Sequence, residues 1–380
     1  MHIVRIKDIL NQVDRKVLVK PFEEYELLGV RLNGQGVFHR ETKEGTKIST
    51  NLLNQVKFGD FIYSRLFAWQ GAFGIIEKEF NNHYVSNEFP IFTPINGNVN
   101  IKYLYYFFQL KPILAEVERK CEGSTKQTRN RYKEKFFLNY SIDLPDIKVQ
   151  NQIVEKLDKI KDEIDNIKIE KQGLTKLFDN LLYSLFVDTV KEANWQPMHE
   201  VAPIIRREVV IKQNEEYPEL GIRSFGKGTF HKPAIKGIDL GTKRIYQLKS
   251  GDLLFSNVFA WEGGIAVATK NDNDRYGSHR FISCDVNKEK ALPEFLCFHH
   301  LTPEGMEKIQ LASPGGAGRN KTLGLKKLEA IKVPIPPIET QRKFVETYYK
   351  INRIKQEIEE SIKDIEGLFP SALHKAFKIN

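Results

Sequence analysis

The sequence predicts an α/β (α+β) protein in which one globular domain is used twice, the copies being joined by two long helices that form an antiparallel coiled coil with pseudo-twofold symmetry. Three observations predict it. The first is an internal repeat: YELLGVRLNGQGVFHR at 25–40 recurs as YPELGIRSFGKGTFHK at 217–232. The offset of 192 holds without a gap through KFGDFIYSRLFAWQG and KSGDLLFSNVFAWEG, so that 25–72 and 217–264 share 19 identities in 48 positions. Background residue frequencies would give roughly three. The second is a pair of apolar seams with helical spacing, one after each copy. The third is the content of each copy, where short β-rich runs and Gly-containing turns are followed by helical segments.

The first globular domain takes residues 1–149. FIYSRLFAW reads as a strand and its turn, and IKYLYYFFQLKPILAEVERK as helix. The Gly-Asp pair before the apolar strand, Gly59 and Asp60 here and Gly251 and Asp252 in the repeat, reads as turn chemistry. Proline closes the last strand in DLPDIKVQNQIVEKL, and a spacer helix follows over 150–190. There Ile153, Leu157, Ile160, Ile164, Ile167, Lys171, Leu174, Phe178, Leu181 and Leu185 step by four and three without a break, which is a heptad seam. The second globular domain takes 191–340, including the helical run PEFLCFHHLTPEGMEKIQ. PIPPIETQRKFVETY then opens a C-terminal spacer helix over 341–380. At offset 191 it repeats the seam with Phe344, Tyr348, Ile351, Lys355, Ile358, Ile362, Ile365, Phe369, Ala372 and Ala376. Gly367 and Pro370 should bend or break its last turns.

Each stripe must be buried against something, and the nearest partner is the other helix. An antiparallel pairing would place one globular domain at each end. The 33 residues from Ile153 to Leu185 would span about 50 Å, longer than one turn of B-DNA at about 34 Å, so the pair would act as a ruler. Lys171 and Lys355 interrupt the seam near its middle, either fixing register or reaching out to solvent.

With 380 residues, 41% hydrophobic and 28% charged, the chain is neither disordered, collagenous nor disulfide-framed. No stretch approaches the roughly 18 apolar residues of a membrane helix, and the N-terminus lacks the apolar core of a secretory signal, so a cytoplasmic protein is expected. Cys121, Cys284 and Cys297 match neither a zinc clip nor a disulfide framework and are read as structural. The net charge is +9, and the helical segments 150–190 and 341–380 carry −2 and +2. The excess therefore belongs to the globular domains, which suggests a polyanion partner.

Catalytic motifs are missing: there is no P-loop, no GxGxxG after a strand, no HExxH, no GxSxG and no spaced Cys or His pairs for zinc. Adjacent His299 and His300 lie in an apolar helix and read as satisfied core or boundary residues. The polar groups present suit DNA. GSTKQTRNRYKEK supplies Lys126, Gln127, Arg129, Asn130 and Arg131, and its counterpart SPGGAGRNKTLGLKK supplies Arg319, Asn320 and Lys321. Arginine can grip guanine with two hydrogen bonds, asparagine and glutamine can do so for adenine, and lysine neutralises phosphate. The two segments share Arg-Asn but otherwise differ where the scaffold agrees, as expected of modules that read different sequences. Arg65 against Asn257, and Asn87 and Glu88 against His279 and Arg280, are further candidate base readers, with scaffold roles equally open. Trp69 and Trp261, identical in both copies, look like shared packing.

With repeats and helices in place, nearly all of the chain resembles the specificity subunit of type I restriction-modification enzymes. The resemblance is carried by the junctions IDLPDIKVQNQIVEKL and IKVPIPPIETQRKFVE, similar to the family's strand-Pro-Pro-x-x-Glu-Gln-x-x-Ile-Val pattern. The first departs from it at Asp146 and Val149, and the second has Thr340 for the glutamate but keeps Gln341. The resemblance implies a non-catalytic DNA reader with two target recognition domains, each binding one half of a bipartite double-stranded site, and a helical spacer that sets the gap. It implies two modification (methyltransferase) subunits using S-adenosylmethionine and restriction subunits using ATP and Mg²⁺ as partners, with no cofactor in this chain. Two other readings are a coiled-coil scaffold that binds protein, and a nuclease or methyltransferase whose site the motifs miss.

Overall fold

The computed structural model describes residues 2–123, 130–315 and 321–377. The chain divides into two compact units, Met1–Glu170 together with Glu360–Asn380, and Lys171–Glu359. Because the central helix runs Ile147–Val190 and the C-terminal helix Ile338–Phe377, each unit joins one globular domain to part of both helices.

In the first unit, Leu10–Val13, Ile91–Pro94, Phe61–Tyr63 and Phe73–Ile75 form an antiparallel four-stranded sheet in that order. Lys16–Leu18, Leu52–Gln55, Tyr84–Val85, Glu24–Val30 and Val37–Glu44 form a five-stranded one, in which Tyr84–Val85 lies parallel to Glu24–Val30. His2–Arg5 pairs with Ser141–Leu144 beside the helix junction. The helical run expected at 101–120 is two helices, Ile101–Phe107 and Lys111–Lys120, because Pro112 starts a new helix and cannot continue the old one. The core between sheet and helices is aromatic: Phe92 and Phe137 lie 4.6 Å apart by ring centroids, Phe73 and Phe108 4.8 Å.

The second unit repeats this plan with Ile204–Ile205, Phe281–Cys284, Leu253–Ser256 and Ile265–Val267 in one sheet, and Thr229–Lys236, Glu216–Ile222, Tyr276–Ser278 and Ile245–Gln247 in the other. Its helical run likewise splits, into Pro293–Leu301 and Pro303–Ala312, with Thr302 capping the second. Here the core is mostly aliphatic, built on Leu253, Ile265, Ile282, Leu296 and Val333 around Phe255. His299 and His300 stand where the first unit has Phe107 and Phe108. Both are buried core residues as expected, but none of their four ring nitrogens has a hydrogen-bond partner. Burial, with the positive charge of Lys308 nearby, pushes their pKa values down to about 2 and about 3, so both rings are neutral.

The Gly-Asp pairs do more than turn the chain. Asp60 is buried, accepts the Lys57 amide at 2.6 Å and takes a forked contact from Arg15 at 2.5 and 3.0 Å. Asp252 is held in the same way by Lys249 and by Arg207 at 2.6 and 3.0 Å. These ion pairs, with buried carboxylates and part-exposed arginines, join segments 45 residues apart in sequence, which local turn chemistry does not disclose.

Within each unit the helices pack antiparallel. In the first, Val154 and Leu157 near the start of the central helix and Leu373 near the end of the C-terminal one enter the same core, and Lys168 reaches Glu366 at 3.0 Å. Phe377 lies 4.9 Å from Tyr103. In the second, Phe186 packs on Phe344 and Val345, and Lys355 reaches Asp179 at 2.6 Å, so Lys355 is a half-buried ion-pair member. Along the expected seam of the C-terminal helix Phe344 and Ile351 are buried and the other members half-buried, and the helix carries on through Pro370, which is exposed. The central seam needs a correction. Leu174 and Leu181 are 45% and 52% exposed, while Thr175 and Leu182 turn inward. A helix with 3.6 residues per turn drifts about 20° per heptad, so a strict seven-residue repeat walks off the contact face after three repeats.

Each helix is latched to its domain by a buried glutamine. Gln150 donates to the carbonyls of Pro145 (2.7 Å) and Asn98 (3.0 Å) and accepts the Asn100 amide at 2.8 Å. Gln341 does the same with Pro336 (2.8 Å), Lys290 (2.9 Å) and Leu292 (2.9 Å). Both are fully buried.

Candidate nucleic-acid interface

The candidate base readers of the two units sit on one main-chain frame. In the first, the Arg65 amide donates to the Glu88 carbonyl at 3.0 Å, and the Arg65 carbonyl accepts from Tyr132 at 2.9 Å. In the second, Asn257 bonds the Arg280 carbonyl at 2.7 Å and accepts from Leu323 at 2.9 Å. The strand after the Gly-Asp turn, the segment at 87–88 or 279–280, and the backbone at Tyr132 or Leu323 are thereby tied together in both. Trp69 and Trp261 support this frame identically, each donating its indole N–H at 3.0 Å, to Leu66 and Val258. The turn they occupy ends in Gly71 and Gly263, both at φ 77, a left-handed conformation that favours glycine.

The side chains mounted on the frame differ. In the first unit the Arg65 guanidinium is engaged by the Asn87 carbonyl and the Glu134 carboxylate, and Arg131 forks onto Glu88 at 2.9 and 3.2 Å. Glu88 thus raises the pKa of Arg131. Glu122 and Arg131 exchange backbone hydrogen bonds at 3.0 Å, which makes a paired foot of these two residues. Lys133 and Lys135 converge on the exposed Glu122 carboxylate, at 2.7 and 3.1 Å, and lower its pKa. Asn130 is half-buried in this foot. In the second unit the place of Glu88 is taken by Arg280, which, with His279, is exposed and has no side-chain partner among the described residues. Lys321 pairs with Gly315 in the matching foot, with its ammonium 4.9 Å over the Trp261 ring. Trp261 is therefore both packing and a cation–π platform. Lys126, Gln127, Arg129, Arg319 and Asn320 lie outside the described residues.

Sequence reasoning placed the frame but missed part of its lining. Asn54, buried in the strand Leu52–Gln55, donates to the Asn87 side chain at 3.3 Å and has an unpartnered amide oxygen. Its signal was available, because the aligned position is Tyr246, whose ring lies 4.9 Å under the Arg206 guanidinium. Cys121, Cys284 and Cys297 are free, and burial pushes all three thiols up, Cys121 to about 11 and Cys297 to about 12. Among the described residues no helix is long and apolar enough to cross a membrane.

Comparison with known proteins gives this arrangement its relatives. The sequence model described as the type I restriction modification DNA specificity domain matches twice, over residues 1–176 and 193–366. The specificity subunit of the type I restriction enzyme EcoKI, from Escherichia coli (strain K12), is 22% identical over 278 residues, covering 66% of this chain but only 59% of that protein. Among solved structures, the HsdS subunit from Thermoanaerobacter tengcongensis is similar at a TM-score of 0.55 and 15% identity, over 99% of this chain and 96% of that one. A chain solved in work on complex assembly and conformational transition of the type I R-M system is similar at 0.68 and 14%, over 99% and 97%. Those two likenesses establish the fold, and the paired sequence matches, one to each globular domain and its adjoining helix, establish descent: the chain belongs to the family of type I restriction modification DNA specificity domains.

Proposed function

We propose that this chain is the DNA-reading subunit of a type I restriction-modification complex and performs no catalysis itself. Each globular domain reads one half of a bipartite duplex site, and the helices that join the domains fix the distance between the halves. One observation carries the reading: the two units share a main-chain frame but mount different polar side chains on it, Arg65 and Glu88 in one and Asn257 and Arg280 in the other. A scaffold that bound the same ligand twice would have no use for that difference. The charge of +9 supplies attraction for phosphate. Base contacts come from the frame, from the segments carrying Lys126, Gln127, Arg129, Arg319 and Asn320, and from Lys321, His279 and Arg280.

Methyltransferase subunits using S-adenosylmethionine, and restriction subunits using ATP and Mg²⁺, dock on this chain in the cytoplasm and perform the chemistry. The test is methylome sequencing of cells that express the chain with its methyltransferase. A single bipartite motif of two unlike half-sequences and a fixed gap is the expected result. Methylation without such a motif, or a chain that binds DNA no better than an acidic protein, would sink the reading.

A further inference from the structure

In the second unit an arginine outside the candidate base readers stands open beside the frame. Arg206 is exposed, and its guanidinium lies 4.9 Å over the ring of Tyr246, which is buried. Its charged neighbours in sequence are committed elsewhere: Arg207 is forked onto Asp252, and Glu208 pairs with Arg244 at 3.6 Å. The chain places Arg206 close to Arg280. It directly follows the strand Ile204–Ile205, which pairs with Ser283 and Cys284, and the partner strand begins at Phe281. Tyr246 pairs with Gly277, two residues before His279. In the first unit the aligned residues Asp14, Asn54, Arg65 and Asn87 line a single cavity of about 330 Å³. Arg206, Tyr246, Asn257 and His279 therefore border the same place on the shared fold.

The two units treat charge differently at this place. In the first, each charged residue has an opposite partner: Asp14 with Lys16 at 3.2 Å, Arg65 with Glu134, and Arg131 with Glu88. In the second, Arg206 and Arg280 have no acidic partner among the described residues, and Lys321 has only the Trp261 ring. Two of these three cations are thus held against aromatic faces. A ring orients a cation and leaves its charge uncancelled, where a carboxylate would have neutralised it. A guanidinium positioned in this way keeps its planar set of N–H donors for a phosphate.

We propose that Arg206, seated on Tyr246, is a phosphate-binding residue of the second unit and grips the duplex backbone beside the half-site that Asn257, His279 and Arg280 read. Tyr246 is a positioning residue, which touches no DNA and lowers the entropy lost when the guanidinium is immobilised. The proposal rests on the reading of this chain as a DNA-recognition subunit.

The test is equilibrium binding of the full-length chain to duplex DNA, followed by fluorescence anisotropy over a series of KCl concentrations, with base preference read by selection from a randomised library. Wild type, Arg206→Gln, Arg206→Lys, Tyr246→Phe and Tyr246→Leu are compared. One lost phosphate contact makes the plot of log K against log [KCl] shallower by about 0.9, which weakens binding about eightfold at about 0.1 M KCl. Arg206→Gln should show both effects and keep every base preference, and Arg206→Lys should restore the slope. Tyr246→Leu should bind more weakly with the slope of wild type, because the charge remains and only its placement is lost. Tyr246→Phe keeps the ring and should match wild type in both. An unchanged slope in Arg206→Gln overturns the proposal. So does a preference relaxed at one G·C pair, which makes Arg206 a base reader, and Tyr246→Leu binding as tightly as wild type overturns the platform. A wild-type chain whose duplex binding is indifferent to salt fails the underlying reading instead, and is thereby distinguished.

Discussion

Arg131 and Arg280 show how an arginine in a basic segment can have two fates. Arg131 is forked onto Glu88, whereas Arg280 occupies the aligned place of Glu88 and is open to solvent. Arg280→Ala should weaken duplex binding by roughly 1–3 kcal/mol and relax one position of a single half-site, measured by competition between duplexes altered in either half. Equal weakening for both halves would count against modular reading. The buried histidines give a second prediction. Each ring is held neutral in the folded unit and regains an ordinary pKa near 6.5 when unfolded, so below pH 6.5 the unfolded chain takes up more protons. Stability is therefore complete above that pH and falls as pH drops, by about 1.4 kcal/mol per pH unit for each ring, until the low folded values are reached. Replacing His299 and His300 with phenylalanine, as at 107 and 108, should flatten this acid limb in urea unfolding between about pH 7.5 and pH 5.5. The burial of these histidines was legible from the apolar run around them. Their lack of partners was not, because it depends on which groups Phe186, Trp195 and Lys308 keep away.

Elements defined by spacing were the easiest to read. Both long helices begin three residues before their expected starts, and no member of the C-terminal seam is exposed, two of them, Phe344 and Ile351, being buried. The central seam failed at Leu174 because heptad counting assumes a supercoil that tracks the contact, whereas burial here passes to Thr175, Leu182 and Phe186 as the helix approaches the second domain's core. Ion pairs such as Arg15 with Asp60 were illegible in kind, since both residues suit a turn and only the fold brings them together across 45 positions. The glutamine latches lie between these cases. Gln341 was visible as a motif residue, but its job is structural, satisfying two carbonyls and an amide where helix meets domain. Gln341→Leu leaves those groups buried and unbonded, so it should destabilise the second unit by roughly 3 kcal/mol in urea unfolding. Hydrogen exchange at 338–345 should rise, with the first unit protected as before.

At the scale of the whole chain, the repeat made the architecture legible before any single residue's role. A shared offset requires a shared fold, and 19 matches in 48 positions leave the differing positions as the informative ones. If the helices set the gap between half-sites, inserting one heptad in each, after residue 170 and before 360, lengthens them by about 10 Å, or about three base pairs. Methylome sequencing should then report unchanged half-sequences separated by about three more base pairs. A new half-sequence, or an unaltered gap, would refute the spacer role.

The first unit draws Phe369, Leu373 and Phe377 into its core, so it is assembled from two separate stretches, Met1–Glu170 and Glu360–Asn380, whereas the second is one uninterrupted stretch, Lys171–Glu359. On the ribosome this inverts the order of maturation. The stretch 171–359 can close as soon as it emerges, while the portion made first waits with Tyr103, Tyr106 and Phe107 uncovered until residues 369–377 are made. A nascent chain that stops before residue 360 thus leaves a sticky aromatic face for chaperones and proteases.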